Sequence, residues 1–291
     1  MDTGYTEGML YLCATPIGNL KDMTERVLET LRSVDLIAAE DTRNSLKLLT
    51  HFDIKVPLTS YHEYNKYDKA NELIGKMREG KNIALITDAG TPAISDPGEV
   101  LVDMCHKEGI RVTSLPGPCA LITALTLSGL KARRFSFEGF LPSDKKERAR
   151  VLKELESETR TMIVYEAPHH LKGTLKELKE VLGDRQTALC RELTKKFEEV
   201  RRMTLYEATD YYDSHEPKGE YVIVLEGKSH EELEKARQDD YLKMDLSQHM
   251  AFYENEGYDR KEAMKLVAKD RGLSKRDIYA QLLEAEKNKE E

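Results

Sequence analysis

The chain has 291 residues, of which 40% are apolar and 34% charged, and its formal net charge at pH 7 is -8. This length allows one large or two ordinary domains with a buried core. No apolar run approaches the roughly 20 residues of a membrane helix, which argues against a membrane partner, and the acidic balance argues mildly against nucleic acid.

The N-terminal stretch and the cysteines indicate a cellular compartment. The residues MDTGYTEG lack the basic-then-apolar pattern of a secretion signal. Cys13, Cys105, Cys119 and Cys190 stand alone, without C-x-x-C spacing. They are expected to be small buried side chains in a reducing environment, not disulfides or a zinc site. The sequence therefore predicts a cytoplasmic location, and no set of metal ligands is visible.

The first part of the chain alternates between strands and helices. Strands are predicted at Met9–Ala14, Leu36–Ala39, Pro57–Tyr61, Ile83–Thr87 and Arg111–Leu115. Helices are predicted at Thr24–Ser33, Thr42–Phe52, Asn65–Arg78 and from the loop over residues 86–98 to Lys107. This alternation indicates right-handed crossovers and a mainly parallel sheet.

The pattern changes near residue 117. Later strands are predicted at Phe135–Phe140, Thr161–Glu166, Thr187–Glu192, Glu199–Met203 and Tyr221–Glu226, with helices to about Ser157 and to Leu182. Closer spacing of strands favours hairpins and a mixed sheet. We expect an N-terminal α/β domain over residues 9–116, a C-terminal α/β domain over 117–227, and a helical extension over 240–285.

Four polar turns follow strands of the first part: ATPIGN, EDTR, DAGTPAISDPG and LPGPCA. In an open α/β sheet, ligands bind beyond the carboxyl ends of the strands. Glycines let backbone approach a ligand closely, and helix N-termini hold polar groups. The absence of G-x-G-x-x-G and of G-x-x-x-x-G-K-[ST] disfavours a dinucleotide and a Walker-type nucleotide. These residues predict a small-molecule pocket without saying which molecule it binds.

The tail resembles a helix-turn-helix. One helix is marked by Ala263 and Val267, Gly272 marks a turn, and Ser274 caps a second helix. Residues 260–276 hold seven Lys or Arg against two acids, which favours contact with a nucleic-acid backbone. An ordinary helical hairpin that packs on the body or on a partner subunit remains open.

Seven ordered motifs carry a family resemblance: ATPIGNL from Ala14, AEDTR from Ala39, DAGTP from Asp88 with SDPG from Ser95, LPGPCA from Leu115, EGFLP from Glu138, YEAPH from Tyr165 and RELTK from Arg191. Together they closely resemble the ribosomal RNA small subunit methyltransferase I family. The resemblance implies α/β architecture of the tetrapyrrole-methylase type, with two domains and a small helical C-terminal extension. It also implies S-adenosylmethionine in the cleft, 2′-O-methylation of a cytidine in the decoding region of 16S rRNA in the small ribosomal subunit, and a homodimer.

The same resemblance implies roles for individual residues. The cofactor would be held by Pro16, Asp88, Ala89, Gly90, Thr91, Ala93, Pro116, Gly117, Ala120, Tyr165, Glu166 and Gly219. From their charge, Arg43, Arg191 and Lys195 are expected to contact phosphate or substrate in the RNA, and Lys275 and Arg276 are expected to contact RNA from the start of the second tail helix. Because a ribose hydroxyl is a weak acid, a general base is expected to help, and Glu40, Asp41, Glu166, Glu192 and Lys195 stay open as candidates. Catalytic roles are assigned to Glu166, Arg43 and Lys195.

Structural readings of these residues also stay open. Glu40–Arg43 suits a capped helix start with a local ion pair, and Arg191 with Glu192 suits a cross-strand pair. Two other functions remain. One is methylation of a tetrapyrrole precursor on the same fold, and the other is non-catalytic regulation through DNA binding by the tail.

Overall fold

The computed structural model describes residues 8–290, and side chains are described except for residue 236 and residues 284–290. Contacts divide the chain into one unit that ends at Gly227 and a second that begins at Lys228. None of the helices in this described range is both long and apolar enough to cross a bilayer.

The first sheet of the larger unit is entirely parallel. Its strands are β1 (Leu10–Cys13), β2 (Leu36–Ala39), β3 (Leu58–Ser60), β4 (Ile83–Ile86) and β5 (Val112–Leu115), in the order β3-β2-β4-β1-β5. The connecting helices are α1 (Glu25–Ser33), α2 (Thr42–His51), α3 (Lys66–Arg78) and α4 (Gly98–Lys107), with a 3-10 turn at Leu20–Asp22. The predicted parallel sheet is confirmed.

Helices cover both faces of this sheet. Leu73 of α3 and Leu101 of α4 pack with Leu10 on one face, whereas Val27 of α1 and Leu49 of α2 pack on the other. Every residue of β4 is buried, because a central parallel strand is enclosed from both sides. The carboxyl ends of the strands are left uncovered by helices, so their connecting loops meet along one edge.

A second sheet follows α5 (Ala120–Ser128). Its strands are β6 (Phe135–Phe140), β7 (Thr161–Glu166), β8 (Gln186–Arg191), β9 (Glu199–Thr204) and β10 (Tyr221–Leu225), in the order β6-β7-β10-β8-β9. The pair β6–β7 is parallel, and the other pairs are antiparallel. The predicted mixed sheet with a hairpin is therefore confirmed, because β8 and β9 are consecutive antiparallel strands.

Helices also cover both faces of the second sheet. The helices α6 (Lys145–Leu155), α7 (Pro168–Leu182) and α8 (Leu205–Ser214) follow β6, β7 and β9. They pack on one face around Leu175, Leu205 and Ile223, and α5 packs on the opposite face around Ala124 and Val222. Residues on the two faces of this sheet therefore have different neighbours.

The smaller unit is helical. It contains α9 (His230–Lys243), α10 (Leu246–Asn255), α11 (Arg260–Asp270) and α12 (Lys275–Glu290). Met250, Val267 and Ile278 form its buried core. The predicted pair of helices around Gly272 is present, and the Ser274 hydroxyl accepts the N–H of Asp277 as the predicted cap.

A histidine is buried in the core of this unit. The side chain of His249 is 0% exposed, and its Nδ1 accepts a hydrogen bond from Nε of Arg271. This contact places the proton of the neutral ring on Nε2, which lies 3.4 Å from Asp270 Oδ2 and makes no hydrogen bond among the described residues. Burial lowers the pKa of His249, and the charge of Arg271 lowers it further, against the opposing effect of Asp270.

We expect the smaller unit to lose stability as the pH falls from 7.5 to 5.5. The folded-state pKa of His249 lies below the unfolded value of about 6.5, so its contribution is full above that pH and is lost as the ring must take a proton. Hydrogen exchange of the amides of residues 246–282, corrected for intrinsic rates, measures this loss. His249→Gln removes the dependence, and His230→Gln at an exposed position retains it; equal slopes for the two variants contradict the assignment.

Candidate active site

A cavity of about 360 Å³ lies where loops of the first sheet face α5 and the strand ends of the second sheet. This volume is typical of small-molecule sites. The lining from the loops of the first sheet is Ile17, Glu40, Thr87, Asp88, Ala89, Gly90, Thr91, Ile94, Ser95 and Asp96. The lining from α5, the second sheet and the segments next to them is Cys119, Ala120, Phe140, Tyr165, Glu166, Ala167, Cys190, Glu192, Leu193, Lys195, Glu220, Tyr221 and Val222.

The loop after β4 is fixed by backbone hydrogen bonds to the loop after β1. The N–H of Thr15 donates to the carbonyl of Gly90 at 2.9 Å, and the N–H of Gly90 donates back at 3.0 Å. The Thr15 hydroxyl donates to the carbonyl of Thr87. Gly90 has a φ of +85°, which glycine adopts without steric cost. The two loops therefore form one structure rather than two independent turns.

Asp96 holds the second half of the same loop. One carboxylate oxygen accepts the N–H groups of Ala93 and Gly98, and the other accepts the N–H of Ile94. Ala93 and Ser95 have φ values of 65° and 64°, which are unfavourable for residues with a Cβ. Strained backbone of this kind is maintained only where the surroundings determine it and is concentrated at functional sites.

The loop after β8 forms the facing wall and carries similar strain at Glu192 and Thr194, whose φ values are 49° and 65°. Lys195 Nζ donates to Glu192 at 2.9 Å and to Glu220 at 2.8 Å. Burial acts to raise the pKa of Glu192, but the N–H of Glu220 and the Lys195 ammonium outweigh it and hold that pKa below its usual value. Burial acts to lower the pKa of Lys195, but both carboxylates outweigh it. Lys195 is therefore a cation at neutral pH.

The end of β7 supplies Tyr165 and Glu166. The Tyr165 hydroxyl accepts the N–H of Leu121 at 3.1 Å, and burial raises the pKa of Tyr165 to about 12. Glu166 is 5% exposed, and its two oxygens accept the N–H of Ala167 and the hydroxyl of Thr174. This carboxylate thus joins the end of β7 to the start of α7, besides lining the cavity.

The structure places some of the predicted cofactor residues in the cavity lining and others outside it. Seven of them line the cavity: Asp88, Ala89, Gly90, Thr91, Ala120, Tyr165 and Glu166. Ala93 and Pro116 are outside its lining, and Pro16 lines a neighbouring cavity of about 390 Å³ that also contains Thr87 and Asp88. Gly117 and Gly219 are also outside its lining, and a Cβ there would meet Ala14 at 2.7 Å and the Glu192 side chain at 2.4 Å.

The predicted cations also occupy different places. Lys195 lines the cavity, whereas the Arg43 side chain is 88% exposed and pairs with Asp41, which caps α2. That is the capped helix start considered from sequence. Arg191 pairs across the hairpin with Glu199 rather than with Glu192. Lys275 and Arg276 are exposed in the first turn of α12.

Several lining residues were not identified as cofactor contacts from the sequence. Asp96 and Ser95 belong to the polar loop after β4, but the sequence alone did not indicate that they line a cavity. Phe140 belongs to the EGFLP motif, but that motif was not interpreted as part of the pocket. Tyr221 and Val222 carry no local signal, because they reach the cavity only through the pairing of β10 with β7 and β8. Within the described range, no cluster of three or more His, Cys, Asp or Glu side chains could hold a metal ion.

Comparison with solved structures defines the fold. A diphthine synthase aligns with a TM-score of 0.62 at 15% identity, covering 76% of this chain and 91% of that protein. Uroporphyrin-III C-methyltransferase from Thermus thermophilus, in complex with S-adenyl homocysteine, aligns with a TM-score of 0.53 at 17% identity, covering 75% and 97%. The family model for tetrapyrrole (corrin/porphyrin) methylases matches residues 9–209. The fold is thus that of the tetrapyrrole-methylase class.

Relatives at higher identity narrow this class. Ribosomal RNA small subunit methyltransferase I of Halalkalibacterium halodurans is 49% identical over 275 residues, covering 94% of each chain. The protein of the same name from Bacillus subtilis is 46% identical over 272 residues, covering 94% and 93%. The chain therefore belongs to the ribosomal RNA small subunit methyltransferase I family of tetrapyrrole methylases. The predicted family, fold class and enzyme class, a methyltransferase, are confirmed.

Gly90→Val should weaken binding of S-adenosylmethionine by roughly tenfold or more, which is about 1.4 kcal/mol. The added Cβ would lie 3.3 Å from Ile17, and a β-branched residue is unfavourable at positive φ. Isothermal calorimetry measures the affinity. Gly109→Val is the matched control, because Gly109 also has positive φ but has open space around it. Unchanged affinity in the Gly90 variant contradicts the placement of the cofactor beside this loop.

Proposed function

We propose that this protein 2′-O-methylates a cytidine of 16S rRNA in the decoding region of the small ribosomal subunit, with S-adenosylmethionine as the methyl donor. One observation carries the proposal. Relatives named ribosomal RNA small subunit methyltransferase I match nearly the whole chain, including the smaller unit that follows the methylase fold. The cytoplasm, where this substrate is found, is the proposed location, and a homodimer is the proposed assembly.

The residues of the cavity fit S-adenosylmethionine. Ile94 and Phe140 are 40% and 59% exposed and both line the cavity, so they offer an apolar surface to an adenosine ring. Asp88 and Asp96 provide carboxylates on the same wall. The tight loop at Gly90 lets backbone approach a ligand closely. The cavity thus combines an apolar wall with a few polar groups, as sites for such ligands do.

The cofactor, when bound, supplies an electrophilic methyl group on a sulfonium. The chain contributes orientation and electrostatics. Positioning of two reactants can supply roughly 7–11 kcal/mol of the barrier, and the interlocked loops at Thr15 and Gly90 provide a rigid wall for that purpose. Residues of β7, β8 and β10 line the cavity from the opposite side.

Asp88 is the carboxylate best placed to orient the acceptor hydroxyl. Several carboxylates line one of the two adjoining cavities, and Asp88 lines both of them. Its Oδ1 accepts the N–H of Asp41 at 3.3 Å. Glu166 already accepts two hydrogen bonds. We therefore propose that it supports catalysis by holding the end of β7 in place. Lys195, a fixed cation, is proposed to neutralise phosphate or developing charge, and Arg43 to contact the RNA backbone.

The smaller unit is proposed to bind RNA. Of the seven cations in residues 260–276, Arg271 is committed to structure, because it donates to His249, Tyr241 and Met244. Lys275 and Arg276 are exposed at the start of α12, where backbone phosphate is favourably bound. Arg191, which belongs to the larger unit, is also proposed to contact RNA.

Incubation with radiolabelled S-adenosylmethionine and three acceptors tests the proposal. Assembled small subunits, free 16S rRNA and uroporphyrinogen III are compared, and the modified nucleotide is mapped by mass spectrometry. Label in the ribose of a single decoding-region cytidine is expected. Label in uroporphyrinogen alone, or in a base, overturns the proposal. Tight binding of duplex DNA that persists in the Gly90→Val variant, with no label in any acceptor, would favour a regulator instead.

Deletion of residues 230–291 should raise the KM for RNA by roughly tenfold or more while the Kd for S-adenosylmethionine stays within about twofold, because phosphate contacts are lost and the cavity is retained. Methylation kinetics and calorimetry measure the two quantities. A Lys275→Ala, Arg276→Ala double variant of the full chain separates the charges from the folded unit. Equal methylation by the truncated and full-length proteins at limiting RNA contradicts a binding role.

A further inference from the structure

A third cavity, of about 280 Å³, lies on the larger unit at the hairpin formed by β8 and β9. It is lined by Arg191, Glu199, Arg201, Tyr211, Tyr212, His215, Glu216, Lys218 and Tyr221. The side chains of α8 contribute Tyr211 and Tyr212, so this cavity lies on the face of the second sheet that α7 and α8 cover. Of its lining residues, Arg191 has been assigned to RNA above, and the others have no role in the methyl transfer described so far.

Two arginines in this cavity share a single carboxylate. Arg191 Nη1 lies 3.5 Å from one oxygen of Glu199, and Arg201 Nη2 lies 2.6 Å from the other. The Nε of Arg201 is buried and has no hydrogen-bond acceptor among the described residues. The remaining carboxylate, Glu216, pairs with Lys172 outside the lining. The cavity therefore keeps a surplus of positive charge and an unused donor, which suit an anion.

An aromatic platform stands beside these cations. The rings of Tyr211 and His215 are stacked, with centroids 4.0 Å apart and planes 5° from parallel, and the Arg201 guanidinium lies 4.4 Å from the Tyr211 ring centroid. His215 Nδ1 contacts the carbonyl oxygen of Tyr211 at 2.8 Å, which fixes the imidazole. His215 is exposed, so its ring can receive a further flat group. Stacking on such rings is how proteins hold unpaired bases.

The cavity adjoins the proposed methylation site. Tyr221 lines both cavities, and Arg191 precedes Glu192, which lines the cofactor cavity. An RNA strand whose acceptor ribose enters the cleft can therefore continue past the end of β8. We propose that this cavity binds a nucleotide of the acceptor RNA that flanks the methylated residue, with its phosphate at Arg191 and Arg201 and its base on His215. The inference rests on the proposed function and names a second contact of the same substrate.

Two neighbouring arginines of β9 provide the test. Arg201 lines the cavity, and Arg202 is exposed on the opposite face of the sheet, where its guanidinium lies beside Gly129. Arg201→Ala and His215→Ala should each raise the KM for the small-subunit RNA about fivefold or more, with kcat and cofactor Kd unchanged. Arg202→Ala, and His106→Ala at an exposed site on α4, should leave all three quantities unchanged.

Two further readouts exclude a merely structural role. His215→Phe keeps a stacking surface and should restore the wild-type KM. Arg201→Ala should also lower the slope of log KM against log salt by about 0.7, the share of one single-strand phosphate contact. Thermal unfolding checks each variant, and the exposed His215 variants keep the test valid if Arg201→Ala does not fold.

The results separate this inference from the proposed function. If the wild-type protein methylates the RNA and the Arg201 and His215 variants match their controls, the flanking-nucleotide site is overturned and the proposed function stands. The inference is also overturned if the variants change the sedimentation of the protein but not the KM for RNA, because the cavity would then contact a second copy of the chain. Absence of methylation by the wild-type protein refutes the proposed function instead.

Discussion

The reciprocal hydrogen bonds between Thr15 and Gly90 are the contact on which the candidate active site depends. β1 and β4 are adjacent parallel strands, so their loops leave the same edge, but adjacency alone would leave two mobile turns. The paired N–H and carbonyl groups turn them into one wall, and Asp96 extends that wall through three further backbone donors. Buried backbone groups must find partners, and here they find them in each other. The strained residues of the loop are held by the same contacts.

Local patterns in the sequence predicted the first sheet and the loops at its edge well. Alternating strands and helices can arrange themselves in few ways, and a parallel sheet places successive turns together, so the polar turns identified the wall that contains Asp88 and Gly90. The helix α8 was not predicted, although Thr204 and Glu207 form the capping box that marks its start. The helices α9 and α10 were not predicted individually, and the expected helical extension over residues 240–285 begins near the end of α9.

Contacts between distant parts of the chain could not be read in the same way. Tyr221 and Val222 reach the cavity through pairing with strands some 30 to 57 residues earlier, which no local pattern records. The resemblance assigned Gly117 and Gly219 to the cofactor, and in the structure a Cβ at these positions would meet Ala14 and Glu192. Whether a glycine faces a ligand or a neighbouring wall is decided by tertiary packing, so the motif gave the neighbourhood of the site but not its surface.

The hairpin of β8 and β9 carries a constraint of register. Arg201 and Arg202 are consecutive, and consecutive strand residues face opposite sides of a sheet. One guanidinium therefore belongs to the α8 face and the other to the α5 face. An insertion or deletion of a single residue that shifted β9 against β8 would exchange the faces of Arg201 and Arg202. It would also move all the remaining side chains of β9 to the opposite face of the sheet. The number of residues in the connection 192–198 is consequently restricted by the register of the hairpin, in addition to the chemical character that Glu192 and Lys195 need in order to line the cavity.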